Sequence, residues 1–241
     1  MAIEAPLAAI CSPTARPPAE AARFALQWLK AGYIGLFWRD QADEFSEIVL
    51  REGEGRCAVF ISPVYPGFGP SINAMSKEAF NRFTSLQFLI AAGDDTDPCA
   101  QDPNVIAKEC IEHFGGTYGI MQPTGDRWAQ GSIDRIAGSP WIGKEWCERA
   151  HKGAGPFHPE ALHMFSDQIL KEAAERFGVY WMRRDLTQKH NHFSRVGDHV
   201  DYSPVRVPPH LKWCNNPAHW QAMQALYERV KRGGYQQCTP Q

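Results

Sequence analysis

The sequence predicts an α/β protein whose sheet is largely parallel in its first half. Short apolar runs alternate with segments of helical periodicity between residues 7 and 121, a pattern typical of strands joined by crossover helices. The 18 proline and 20 glycine residues favour many turns over a helical bundle. Because ligands of such sheets bind beyond the carboxyl ends of the strands, functional residues are expected directly after the apolar runs.

The elements of the first half follow from local patterns. Apolar runs predict a buried first strand at 7–12 and further strands at 34–38, 58–64, 86–92 and 118–121. Helical spacing of apolar residues predicts helices at 19–30, 71–83 and 103–114. Two prolines precede the first of these helices, where proline is well tolerated, and Gly115-Gly116 ends the third.

The second half of the chain is less regular. Helical spacing recurs at 139–150, 166–177 and 217–231, and a short strand is predicted at 179–182. No internal repeat and no low-complexity segment occurs. We therefore expect one catalytic domain over residues 1–195 and a C-terminal extension, 196–241, whose terminal helix packs on that domain.

Composition restricts the class of protein. A chain of 241 residues with 44% hydrophobic residues is long enough to bury a substantial core. It lacks a run of about 18 apolar residues and a basic start followed by an apolar stretch, so neither a membrane span nor a secretion signal is expected. Seven scattered cysteines predict reduced thiols and a cytoplasmic location, and nothing indicates an obligate protein partner.

The distribution of charge is uneven. Residues 1–110 carry 9 Lys or Arg against 14 Asp or Glu, whereas residues 171–241 carry 11 against 6, a net charge of +5. An acidic part is suited to a metal and a basic part to phosphates, although ordinary surface variation is the alternative.

An acidic cluster directly follows the apolar run at 86–92. Asp94, Asp95 and Asp97 place three carboxylates within four residues, and such a cluster is costly unless it is solvated or neutralised by a divalent cation. Oxygen ligands favour Mg²⁺ or Mn²⁺, and a metal held by one or two carboxylates commonly also binds a substrate diphosphate. An aspartate-rich turn closed by Pro98 is the alternative interpretation.

Two further segments carry polar residues suited to chemistry. Asp167 stands at the start of the predicted helix at 166–177, where it is either a cap or a general base for an acceptor hydroxyl. His190 and His192 alternate on a segment expected to be extended, so at most one of them faces a common metal. Arg183 and Arg184 are candidates for phosphate contacts, with a solvated basic loop as the alternative.

Four of these segments, in this order, resemble motifs of GT-A fold glycosyltransferases of the compact, inverting, family 2-like kind. Residues 12–17 (SPTARP) resemble the nucleotide-binding loop, and 93–97 (GDDTD) resemble the Asp-x-Asp metal motif. Residues 138–143 (GSPWIG) resemble the acceptor-side segment, and 165–170 (FSDQIL) resemble the segment with the catalytic aspartate. The resemblance covers residues 5–195, departs from the usual Glu-Asp pair at Ser166-Asp167, and extends to bacteriophage enzymes that glycosylate DNA.

The resemblance implies a fold, a reaction and a set of site residues. The fold is a GT-A-like (Rossmann-like), mixed and mostly parallel sheet flanked by helices, in a single domain with a basic C-terminal extension. The reaction is metal-dependent, inverting transfer from a nucleotide-diphosphate sugar, with a UDP-sugar favoured. The implied roles are as follows: Asp167 is the base, and Ser12, Thr14, Arg16, Asp94, Asp95, Arg183 and Arg184 bind the donor. Mn²⁺ or Mg²⁺ is held by Asp95 and Asp97, or by Asp94 and Asp95, with His192 as a third ligand and His190 as its substitute.

The acceptor is the remaining question. The basic segment with interleaved aromatic residues, together with the resemblance to phage enzymes, favours the hydroxymethyl group of a modified pyrimidine (5-hydroxymethylcytosine-type) in double-stranded phage DNA, in the cytoplasm of a bacterial host. A glycan or envelope acceptor is one alternative. A metal-dependent nucleic-acid-binding or nuclease-like protein is another, and in the simplest alternative the acidic cluster is only a turn.

Overall fold

The computed structural model describes residues 5–124, 136–191 and 216–238. Within them a seven-stranded sheet has the order β3-β2-β1-β4-β6-β5-β7. Its strands are β1 (Ala8–Pro13), β2 (Ile34–Arg39), β3 (Cys57–Ile61), β4 (Phe88–Ala91), β5 (Ile120–Thr124), β6 (Trp141–Gly143) and β7 (Tyr180–Thr187). Strand β6 is antiparallel to β4 and β5, and the other neighbouring strands pair in parallel. The predicted α/β class, with a mostly parallel sheet flanked by helices, is confirmed.

Helices cover both faces of this sheet. They are α1 (Pro18–Lys30), α2 (Glu44–Glu52), α3 (Phe68–Arg82), α4 (Pro103–Phe114), α5 (Lys144–Arg149), α6 (Ser166–Arg176) and α7 (Pro217–Arg232). Successive residues of β1 enter two different cores, because side chains alternate across a strand: Ala9 and Cys11 pack with α3, α5 and α6, and Ile10 packs with α1, α2 and α4. Within the described ranges no helix has the length and apolar character that crossing a bilayer requires.

Helix α2 was not predicted from the sequence. Its apolar positions are few, but Asp43 caps it, with the carboxylate accepting from the backbone N–H of Phe45 at 3.2 Å. Phe45 and Val49 then bury one face of the helix against β2 and β3. The cap, rather than a long periodic pattern, is the signal in the sequence that marks this helix.

The predicted helix at 139–150 is wrong over its first residues. Trp141–Gly143 form β6, where Trp141 lies opposite Ile90 and Ile142 lies opposite Leu89. Trp141 and Ile142 are fully buried, so the tertiary position between β4 and β5 overrides the helical spacing, and the helix begins only at Lys144.

Helix α7 packs on α6 through apolar side chains and through hydrogen bonds to one carboxylate. Met223, Leu226 and Val230 are its buried residues. The carboxylate of Glu172 accepts hydrogen bonds from the hydroxyls of Tyr227 and Tyr235, which ties the C-terminal half of α7 and the turn after it to α6. The predicted domain boundary at 195 lies outside the described residues and stays a prediction.

Candidate functional site

The loop after β1 meets the loop after β4 at the carboxyl edge of the sheet. The hydroxyl of Thr14 donates to Asp94 Oδ2 at 2.6 Å, and Arg16 Nε lies 3.1 Å from Asp94 Oδ1 and 3.2 Å from the Asp94 carbonyl. Thr14 and Arg16 are both buried. These contacts bring together two of the four segments that the sequence singled out, because β1 and β4 are adjacent parallel strands whose carboxyl ends coincide.

Burial perturbs the pKa of Asp94. Desolvation raises the pKa of this carboxyl above its usual range; the neighbouring Arg16 opposes the rise, and Asp95 adds to it. The ion pair and the hydrogen bond from Thr14 therefore hold a carboxylate that is costly to keep charged. Asp94 is thus engaged by the loop after β1, whereas Asp95 and Asp97 face a different segment.

Asp95 and Asp97 contact the segment that follows β7. Thr96 and His190 form an antiparallel bridge, in which the backbone N–H of Asp97 donates to Lys189 O at 2.8 Å. The Asp95 carbonyl accepts from the N–H of Asn191 at 2.7 Å. Residues 189–191, called the strap below, therefore lie along the acidic motif.

Two of the predicted metal ligands face one another across this bridge. His190 Nε2 lies 2.9 Å from Asp95 Oδ1, and both side chains are largely buried. Asp97 accepts a hydrogen bond at Oδ2 from the side-chain amide of Asn191, at 2.9 Å. His192 lies outside the described residues.

The chemical types of these side chains, carboxylates with one imidazole, are ones that bind a hard divalent cation. Within residues 5–124, 136–191 and 216–238, however, no three His, Cys, Asp or Glu side chains are grouped closely enough to form a metal site. Of the predicted ligands, the side chains of Asp95 and His190 are in contact with each other, whereas the carboxylate of Asp97 contacts Asn191. A metal held here by these residues remains a prediction.

Helix α1 fixes the backbone in the middle of the acidic motif, residues 94–97. The indole N–H of Trp28, in α1, donates to the carbonyl of Thr96 at 3.0 Å, and both residues are fully buried. Trp28 in turn packs edge-on against Tyr33 at 4.8 Å between ring centroids. The backbone of the motif is therefore fixed by the core, while its carboxylates point to the loop after β1 and to the strap.

Arg39, at the end of β2, supports the loop after β1. Its Nη1 donates to the carbonyls of Thr14 at 3.1 Å and Arg16 at 2.9 Å, and its Nη2 pairs with the Asp43 carboxylate that caps α2. Arg39 is only 2% exposed. Sequence reasoning missed this residue, although an arginine at a predicted strand end four residues before an aspartate was a usable signal.

Asp167 lies in the first turn of α6, where its Oδ1 accepts from the backbone N–H of Gln168 at 2.9 Å. The approach to α6 is fixed at the carboxyl side of β3, because Gly69, in the first turn of α3, donates its N–H to Leu162 O at 3.3 Å. A Cβ on Gly67, whose φ is +108°, would lie 2.2 Å from that same oxygen. The segment that leads to α6 is thus held at the start of α3, the helix that follows β3.

Asn73, in α3, holds the segment before α6 at a second position, nearer its N-terminal end. Its side-chain amide donates to Phe157 O at 3.0 Å and accepts from Phe157 N–H at 2.9 Å, so α3 grips the backbone of the segment before α6. Two contacts from α3 therefore position the chain that leads to Asp167.

Three residues that were predicted to bind the sugar-nucleotide donor do not take part in the contacts described above. Ser12 is fully buried within β1, and its hydroxyl donates to the neighbouring carbonyl of Pro13, at 3.4 Å. Arg183 is buried on β7 and pairs with Glu109 at 2.5 Å and Asp185 at 3.3 Å. Arg184 is exposed on the same strand. Their roles in binding the donor stay predictions, and the contacts above do not include them.

Comparison with known proteins gives a likeness of fold. No protein-family model and no curated protein sequence matches this chain. Among solved structures, S. aureus TarS 1-349 in complex with UDP matches with a TM-score of 0.52 and 10% identity, over 75% of this chain and 59% of that chain. TarS 1-349 by itself gives 0.53 at 11% identity over the same shares, and TarS gives 0.53 at 10% identity over 75% of this chain and 36% of that one. The chain therefore spans less than two thirds of the TarS chains that it matches, and the likeness is one of fold.

Proposed function

We propose that this chain is a metal-dependent, inverting glycosyltransferase that uses a nucleotide-diphosphate sugar, with a UDP-sugar favoured. The observation that carries the proposal is the meeting of three segments at one sheet edge: the loop after β1, the acidic motif after β4 and the strap after β7. A sugar-nucleotide donor needs a nucleoside contact and a neutralised diphosphate close together, and this junction supplies groups for both. The presence of UDP in the structure of TarS 1-349 supports the choice of nucleotide.

The donor would lie along the loop after β1. Thr14 and Arg16 would hold the nucleoside, and Asp94 would orient both side chains through the contacts already described. Asp95, Asp97 and His190 would hold Mn²⁺ or Mg²⁺, with His192 as an alternative to His190. A bound cation would offset the charge that develops on the leaving diphosphate.

Asp167 would act as the general base. As the acceptor oxygen attacks the anomeric carbon, the Asp167 carboxylate takes the hydroxyl proton, the bond to the diphosphate breaks, and the configuration at that carbon inverts. The grip of α3 on the segment before α6 supports this role, since a base needs a fixed position relative to the donor.

For the acceptor, we propose the hydroxymethyl group of a modified pyrimidine in double-stranded DNA. Support comes from the net charge of +5 over residues 171–241 and from the aromatic residues among those charges. A glycan acceptor is the alternative within the same reaction.

The six cysteines of the described ranges are all free thiols, which supports a cytoplasmic location for the proposed reaction.

Donor binding is tested by thermal unfolding. UDP with Mn²⁺ should raise the melting temperature, because a ligand that binds only the folded state stabilises it by about 2.7 kcal/mol at 100 times its Kd. UDP without metal, Mn²⁺ without nucleotide, and GDP with Mn²⁺ are the controls. An unchanged melting temperature with every nucleotide diphosphate would contradict the proposed function.

Acceptor and donor sugar are identified together by mass spectrometry. Hydroxymethylated duplex DNA and a set of simple glycosides are incubated in parallel with UDP-sugars and Mn²⁺. A hexose mass added to the DNA, with activity that falls steeply as salt rises, is expected for the DNA acceptor. A sugar added only to glycosides would replace that acceptor, and a cut DNA backbone would instead favour a nuclease.

A further inference from the structure

Three aromatic side chains meet where α7 packs against the start of α6. The ring of Phe165, the residue directly before α6, has its centroid 5.4 Å from that of Trp220 and 5.4 Å from that of Tyr227. Phe165 and Tyr227 are partly buried, whereas Trp220 is 44% exposed. These three residues are called the aromatic patch below, and the patch adjoins the end of α6 that carries Asp167.

The exposure of Trp220 sets it apart from the other aromatic residues. Within residues 5–124, 136–191 and 216–238, the large hydrophobic side chains that are exposed are Leu50, Ile61, Val64, Val105 and Trp220. Of these, Trp220 alone is aromatic. Because its indole continues into the rings of Phe165 and Tyr227, it belongs to a contiguous apolar patch and is not an isolated surface residue. Such patches mark binding sites.

The backbone before α6 supports the same interpretation. Phe165 has φ +63° and ψ +1°, in the left-handed region that residues with a side chain rarely adopt. Strain of this kind persists where surrounding contacts enforce it, and it is concentrated at functional sites. The turn is closed by Ser166, whose hydroxyl donates to His163 O at 2.8 Å. The ring of Phe165 thereby reaches α7, while the following residues begin the helix that carries Asp167.

A cation lies at the far end of the patch from Trp220. The Nζ of Lys231 is 5.5 Å from the ring centroid of Tyr227. Trp220, Tyr227 and Lys231 stand at positions i, i+7 and i+11 of α7, which fall on one side of a helix. A row of rings that ends at a cation matches a nucleic-acid strand, because bases stack on aromatic faces and phosphates attract lysine. A neutral glycan would use the rings but not the cation.

We propose that the aromatic patch is the surface on which the acceptor base of DNA stacks, with the indole of Trp220 as the stacking face and Lys231 as a phosphate contact. This inference rests on the proposed function, because it concerns the DNA acceptor proposed there. A base leaves the duplex before an enzyme reaches its substituent, and stacking on an aromatic side chain offsets part of the cost of extrusion. Trp220 is then a residue that determines acceptor specificity.

The experiment measures DNA binding without donor or metal, by fluorescence anisotropy of a labelled duplex. The duplex carries one 5-hydroxymethylcytosine in a mismatched pair, because a mismatched base leaves the stack most easily. Trp220→Leu should weaken binding about 5-fold to 100-fold, and Trp220→Phe, which keeps a ring, should lose less. Leu50→Ala is the control, since it removes a side chain of similar exposure, 49%, from α2 and should bind DNA as the original chain does.

Two further readings separate stacking from a structural role. Lys231→Gln should lower the slope of log affinity against log salt by about 1, the effect of one lost phosphate contact. The UDP- and Mn²⁺-dependent rise in melting temperature should be the same in every variant, because the aromatic patch is not proposed to touch the nucleotide. Trp220 is exposed, so its replacement is expected to leave the fold intact, and the melting temperature without ligand checks this.

The possible failures are distinguishable. If the original chain and Trp220→Leu bind the duplex equally well, the inference is wrong and the DNA acceptor stands. If Leu50→Ala loses as much affinity as Trp220→Leu, the effect is general and the inference is again wrong. If UDP with Mn²⁺ stabilises the chain but the duplex does not bind, the inference and the DNA acceptor are both overturned while the transferase proposal stands; a Trp220-dependent KM for a simple glycoside would then assign the patch to a glycan.

Discussion

The guanidinium of Arg39 donates from Nη1 to the carbonyl oxygen of Arg16 at 2.9 Å, so the end of β2 holds the loop that follows β1. The same nitrogen reaches the carbonyl of Thr14, and the other terminal nitrogen reaches the cap of α2. A single buried arginine therefore connects the helix cap to the two residues proposed to hold the nucleoside.

Replacement of Arg39 should damage both stability and donor binding. Arg39→Ala leaves the Asp43 carboxylate and two carbonyls without their donor, and loss of one partner of a buried pair costs ~3 kcal/mol. Arg39→Lys, which keeps the charge but reaches fewer acceptors, should lose less. Urea denaturation measures the first effect and the UDP-dependent shift in melting temperature the second; an Arg39→Ala chain of unchanged stability would contradict this account.

Asp167→Asn should separate chemistry from donor binding. The amide keeps the size of the side chain but cannot accept a proton, so the transfer rate should fall by about 10²–10⁴. The UDP- and Mn²⁺-dependent rise in melting temperature should remain, because Asp167 is not proposed to touch the nucleotide. Single-turnover transfer and thermal unfolding provide the two readings, and retained turnover would remove Asp167 as the base.

Substitutions at Gly67 and Gly55 test whether Gly67 holds the segment that leads to α6, with Gly55 as the control. Both have positive φ, +108° and +82°, but a Cβ on Gly67 would lie 2.2 Å from Leu162 O, whereas one on Gly55 would meet nothing within 4 Å. Gly55→Ala should cost only the backbone strain, about 1 kcal/mol. Gly67→Ala adds a clash with the backbone and should cost ~3 kcal/mol, with a lower transfer rate because the segment before Asp167 moves. Equal losses of stability in the two variants would show that Leu162 does not press on Gly67.

His163 should make stability depend on pH. Burial, with a smaller contribution from His219, lowers the pKa of His163 from 6.5 to about 4, and its buried Nδ1 has no hydrogen-bond partner within the described ranges. The folded chain therefore keeps this ring neutral while the unfolded chain protonates it below about pH 6.5. The stability it contributes is complete above that pH and is lost as the pH falls toward 4, by about 2 kcal/mol between pH 7 and pH 5.

His163→Gln removes this titration, and its free energy of unfolding should fall less between pH 7 and pH 5 than that of the original chain. Urea denaturation at pH 7, 6 and 5 gives the comparison. Parallel curves for the two proteins would mean that His163 is already accessible to protons in the fold.

The sequence by itself determined the parallel half of the sheet and the place of the acidic motif. Strands β1, β2 and β4 are buried on both faces, so they appear as continuous apolar runs, and the acidic motif follows the carboxyl end of β4. Thr14, Arg16 and Asp94 were expected to act together because the segments that hold them resemble the nucleotide-binding loop and the metal motif of GT-A fold glycosyltransferases, and the structure brings their side chains into contact.

Only the tertiary structure decided the rest. Strand β6 is three residues long, too short for any period to show, and its direction is set by insertion between β4 and β5. The pairing of Asn191 with Asp97 spans 94 positions and that of Arg39 with Arg16 spans 23, and neither leaves a local pattern in the sequence. Local periodicity records which face of an element is buried, but which distant side chains share a hydrogen bond depends on how the whole sheet is ordered.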